Sequence, residues 1–74
     1  MKEKLLPLID SGYRLTFTLN DGLVLSGYLN HYNALDNTFT IATKRTSIGL
    51  AISLDKIDKV AYSNKLYGGV IWQK

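Results

Sequence analysis

The chain has 74 residues with nine Lys or Arg against six Asp or Glu, a formal charge of +3, which makes one small domain whose mild basic bias permits contact with phosphate without requiring it. It has no cysteine and one histidine, which excludes a disulfide framework and a thiolate metal site and is compatible with a reducing cytoplasm. The apolar stretch from Leu5 to Ile9 spans only five residues and contains Pro7, so it is neither a signal peptide core nor a membrane span.

Residues 1 to 11 predict a short helix or helical turn, with Leu5, Leu6, Leu8 and Ile9 on an apolar face and Gly12 as its stop. Pro7 biases Leu6 towards extended backbone, which keeps that helix short or starts it near Pro7. Tyr13 to Leu19 alternates apolar Tyr13, Leu15, Phe17 and Leu19 with Arg14, Thr16 and Thr18, the period-two pattern of a strand with one face buried. Asn20-Asp21-Gly22 then predicts a hairpin turn: Gly22 accepts positive φ, and the two polar side chains can bond nearby backbone.

The second strand is expected from about Leu23 to Tyr32, with Leu23, Leu25, Gly27, Leu29 and His31 on one face and Val24, Ser26, Tyr28, Asn30 and Tyr32 on the other. Gly27 stands where a long strand bends to serve two sides of a barrel. Residues 33 to 37 form the next turn, and Thr38 to Lys44 a third strand with Phe39 and Ile41 inward. After a polar connection from Lys44 to Ser47, the fourth strand is expected from about Ile48 to Leu54, with small Gly49, Ala51 and Ser53 between its aliphatics. Asp55-Lys56 makes a corner, and the three-residue step from Ile57 to Val60 predicts a tight helical turn before, or merging into, a fifth strand around Lys59 to Ser63. The tail from Asn64 holds a second apolar stretch, Leu66, Tyr67, Val70, Ile71 and Trp72. It either adds a strand that covers a small core or forms an interface through its aromatic residues.

The positions Leu15, Phe17, Leu19, Asp21-Gly22, Gly27, Leu29, Tyr32-Asn33 and Asn37 resemble the first motif of the Sm-like (LSm) family over about 25 residues without a gap. The second motif is partly present as Ile52-Ser53-Leu54-Asp55-Lys56-Ile57, followed by Val60. YolD-like bacterial barrels share a looser version, an Asp-Gly hairpin and a closing Ile-Leu-Asp-Lys-Ile segment. The resemblance implies an all-β fold: a small five-stranded, strongly bent antiparallel barrel, Sm-like or Src-homology-3-like, with a short N-terminal helical turn. The tail allows a sixth C-terminal strand. One domain spans the chain, with the turn at 1–12, the barrel at 13–63 and the tail at 64–74.

In the family, the Asn of the first motif and the Arg of the second hold a uracil edge, while the side chain two before that Asn stacks on the base. Asn37 matches. Leu35 stands at the stacking position, Ser53 at the Arg position, Leu54 at the following Gly, and Asn33 at the Asp of the first motif. A leucine has no π-face to offer a base.

No catalytic pattern is visible. His31 lies beside Leu29 as a packed or rim residue, Asp55 and Asp58 are interleaved with Lys56 and Lys59 as a solvated corner, and Gly68-Gly69 lacks the partners of a phosphate loop. The expected function is therefore a non-enzymatic binding module, an oligomeric Sm-like protein contacting single-stranded RNA or other nucleic acid. Asn33 and Asn37 offer polar edges there and Lys44 and Arg45 contact phosphate, while both asparagines also suit turns for structural reasons alone. The alternative is a protein-interaction or self-assembly module using edge strands and Tyr67, Val70, Ile71 and Trp72. Neither calls for a cofactor, a metal or a membrane.

Overall fold

The structure, a computed structural model, describes residues 1–43, 49–64 and 68–74. Its elements in chain order are α1 (Lys2–Leu5), a 3-10 turn (Leu6–Leu8), β1 (Arg14–Leu19), β2 (Val24–Asn33), β3 (Thr38–Ala42), β4 (Leu50–Ser53), a second 3-10 turn (Leu54–Lys56), β5 (Ile57–Tyr62) and β6 (Val70–Gln73). The described residues thus form a small, mostly β fold with one short helix.

Alternation along β1 buries Leu15, Phe17 and Leu19 on one face, and the same face of the sheet carries Leu29, Phe39, Ile41, Ile52, Ile57 and Val60. Phe17 and Phe39 are fully buried, and removing each ring from water contributes about 2–3 kcal/mol. Leu5 is also fully buried, so the N-terminal turn docks its apolar side on this face. The Asp10 N–H then ties the segment to the Leu29 carbonyl at 3.1 Å. On the opposite face the Thr16 hydroxyl lies 3.3 Å from that of Ser26 in β2 and 2.7 Å from that of Ser63, just past the end of β5.

The six strands form one antiparallel sheet in the order β4-β3-β2-β1-β5-β6. This corrects two expectations, a closed barrel and five strands. The tail does pair: Lys59 faces Gln73, Val60 faces Trp72 and Ala61 faces Val70, so β6 takes the free side of β5. Closure needs a ladder between the two ends of the strand order, and among the described residues none joins β4 to β6.

The hairpin forms at Asp21-Gly22 with Gly22 at φ 89°, and the Asp21 carboxylate accepts the Leu23 N–H at 3.0 Å. Asn20 bonds elsewhere, its backbone N–H to the Lys56 carbonyl and its side chain to that of Asp55. β2 divides its pairing as Gly27 suggests: residues 24–28 face β1 and 28–33 face β3. At Gly27 the β3 backbone comes so close that a Cβ would lie 2.4 Å from the Ala42 carbonyl oxygen.

A register shift between Leu29 and His31 overturns the expected facing of the second half of β2. The extra residue reverses the alternation, so His31 is exposed, which rules out the packed one of its two expected settings. Tyr32 instead turns to Phe39, with ring centroids 4.9 Å apart. Leu23 is half exposed at the hairpin tip, outside the buried row assigned to it. β5 starts at Ile57 rather than Lys59, because the 3-10 turn ends at Lys56 and leaves Ile57 buried as a strand residue. The expected ends of the third and fourth strands, Lys44 and Ile48, lie outside the described residues.

Candidate binding groove

Asn37 ends the turn between β2 and β3 in left-handed backbone, φ 54°, which asparagine tolerates better than most residues. Its carbonyl then accepts the Leu54 N–H at 3.1 Å, joining the turn to the end of β4. The Tyr32 hydroxyl donates to Asn37 Oδ1 at 2.9 Å, and Lys2 Nζ stands 5.7 Å from the centre of the Tyr32 ring. These contacts orient the Asn37 amide with its oxygen towards Tyr32. Its Nδ2 has no hydrogen-bond partner among the described residues.

Asn37, Lys2, Trp72 and Lys74 line one open groove of about 520 Å³, together with Leu54 and Ile57. Five elements meet there: α1, the β2–β3 turn, the 3-10 turn before β5, the start of β5, and β6. Trp72 is half-buried, pairs with Val60 across the ladder, packs against the core and lines the groove. Glu3 and Asp55 also line the groove and offset the two lysines. A hydrogen bond with its own backbone, then the Met1 amino group, holds the Glu3 carboxyl below its ordinary value. Lys74 Nζ lies 4.0 Å from Asp58 Oδ1, an oxygen closed to solvent and without a hydrogen-bond partner among the described residues. A second cavity of about 100 Å³ beside Asp10, Tyr28 and Asn30 has room for only a few waters.

Of the described residues expected from sequence, Asn37 and Trp72 share the groove and Asn33 does not line it. Asn33 is spent on the turn: Oδ1 accepts the N–H groups of Leu35 and Asp36 at 3.0 and 3.4 Å, and Nδ2 donates to the Asp36 carboxylate. Lys44, Arg45 and Tyr67 lie outside the described residues. Val70 is half exposed on the sheet edge, whereas Ile71 and Trp72 pack on the core. Leu35 projects from the turn with 96% of its surface exposed, and Ser53 sits in β4 facing Thr38. Lys2 and Lys74 were not expected in a site, and no local spacing relates them to Asn37.

Among the described residues no three His, Cys, Asp or Glu side chains are grouped to hold a metal ion, and no helix is long and apolar enough to cross a membrane. No protein-family model, curated protein or solved structure matches the chain.

Proposed function

We propose that this protein is a non-enzymatic binding module of Sm-like build that contacts single-stranded nucleic acid and acts as a homo-oligomer, in a cytoplasmic setting. The observation that carries the reading is the convergence of Asn37, Trp72, Lys2 and Lys74 on one groove. An indole face stacks on any base for about 1–3 kcal/mol, the Asn37 Nδ2 donates to a base carbonyl, and the lysines meet flanking phosphates. The N-terminal helix over the core and the division of β2 at Gly27 also support an Sm-like relationship. Leu35 and Ser53 supply neither a stack nor a guanidinium fork, so base contact in this chain falls to Trp72 from the added strand.

Trp72 is the one tryptophan, so intrinsic fluorescence reports on the groove directly. Titration with short oligouridine or oligothymidine should quench it at low salt, and affinity should fall as salt rises. Lys2→Ala should reduce the salt slope by about one, while Trp72→Leu should weaken binding of a labelled oligonucleotide more than Trp72→Phe does. Unchanged fluorescence together with no rise in anisotropy of the labelled strand at low salt would overturn the reading.

A further inference from the structure

We infer that β4 is a homotypic edge through which two copies of this chain pair antiparallel about a two-fold axis at Ile52. This assigns a surface to the self-association proposed above, and it does not depend on nucleic-acid contact.

Among the described residues the sheet ends at β4 and β6, and the two edges differ. β6 carries common protections against edge pairing: a register shift beside it between Val60 and Ala61, polar Gln73, and Lys74 at its end. Residues 49–54, Gly-Leu-Ala-Ile-Ser-Leu, carry no charge and no proline. Leu50 faces buried Ile41 across the ladder, yet 58% of its own surface is exposed. An aliphatic side chain at the rim of the core is thus left uncovered.

The backbone phase shows which groups face outward. The Leu54 N–H bonds the Asn37 carbonyl, and β3 and β4 keep one register from Thr38 opposite Ser53 to Ile41 opposite Leu50. Antiparallel ladders alternate, so Ile52 and Leu50 exchange their bonds with Phe39 and Ile41. Ala51 and Ser53 therefore direct their N–H and C=O groups to the open side. Both have small side chains, which lets another backbone approach.

Leu50-Ala51-Ile52-Ser53-Leu54 is nearly symmetric about Ile52 in size and polarity, and that favours a second copy over an unrelated strand. With Ile52 opposite Ile52 of the second copy, Ala51 pairs with its Ser53 and Ser53 with its Ala51. The outward groups are then satisfied in both chains. Exposed Leu50 meets Leu54 of the second copy, and the apolar row on the core face continues across the axis. Five residues a side bury less than the roughly 1,200–2,000 Å² of stable complexes, so the pair is weak and concentration-dependent.

Sedimentation equilibrium of the full chain without nucleic acid, from about 10 μM to 1 mM, tests this, with the range set by the expected weakness of so small an interface. The average mass should rise from 8.3 kDa towards twice that value. Leu50→Lys, which charges an exposed position, should hold the mass at the monomer value with an unchanged circular dichroism spectrum. Ala51→Pro removes an outward N–H that β3 does not use, and it should do the same. A constant monomer mass at the highest concentration, a mass rising past the dimer, or a rise that persists in Leu50→Lys would each overturn the assignment. Because no oligonucleotide is present, the result is separate from the titration of Trp72.

Discussion

Gly27→Ala should be among the most damaging single-methyl additions the chain can receive. The new Cβ would stand 2.4 Å from the Ala42 carbonyl oxygen, 3.0 Å from its carbon and 3.1 Å from Ile41 Cγ2, where ordinary contact begins at 3.4 Å. The closest of these is backbone, so no rotamer change relieves it. β2 and β3 must separate by roughly an ångström around the Tyr28–Ala42 pair, and a hydrogen bond stretched that far is lost, at about 1 kcal/mol. Overpacking beside the buried Ile41 costs a further 1–3 kcal/mol or so, and the stiffer unfolded chain returns only about 0.5 kcal/mol. The net loss is about 2–3 kcal/mol. A chain of 74 residues has about 4–11 kcal/mol in total. With a urea slope near 1 kcal/mol/M for so small a protein, the unfolding midpoint should drop by about 2–3 M. Gly22→Ala is the control: its φ of 89° imposes strain, but nothing lies within 4 Å of the added carbon, so about 1 kcal/mol is expected. A Gly27→Ala midpoint within about 0.5 M of the parent would refute the close approach of β3 to β2, given that slope.

Tyr32→Phe removes the hydroxyl that orients Asn37, and with the bond exposed the loss should be about 0.5–1 kcal/mol by urea unfolding. In a double-mutant cycle with Asn37→Gly, which keeps the turn's backbone conformation accessible, most of that loss should appear as coupling; strictly additive effects would show that the bond contributes nothing. Trp72→Ala should cost about 2 kcal/mol, less than a fully buried tryptophan, while strand content by circular dichroism persists. A variant as stable as the parent would mean that β6 does not cover Val60.

Much of the strand layout was legible because it is local. The alternation from Leu15 to Leu19 and the turn at Asp21-Gly22 each depend on neighbouring residues, and they appear where the pattern puts them. The facing of His31 failed for a reason that alternation cannot express, since one extra residue in β2 reverses every side chain after it. Strand five was placed late because an apolar step of three residues fits a helical turn and a strand start alike. The open sheet was illegible because strand order depends on pairing between distant segments, and hydropathy does not reveal whether Val70 to Gln73 seeks β5 or another molecule. The groove was hidden for the same reason: Lys2, Asn37 and Trp72 meet only after α1, the β2–β3 turn and β6 are all in place.

The position of β1 between β2 and β5 has a consequence for how the chain finds its structure. β1 through β4 join neighbour to neighbour by short connections, but the hydroxyls of Thr16 and Ser63 that meet across β1 and β5 are 47 residues apart in the chain. Closing a loop of that length costs about 3 kcal/mol of chain entropy before any contact repays it. The local meander is therefore expected to assemble early and β5 late, with β6 after it. Until Val60 docks, Leu15 and Phe17 are covered from one flank only, and the vacant side of β1 is a template for the β5 of any nearby chain. Refolding yield should then be set by how long that vacancy lasts relative to the time between molecular encounters.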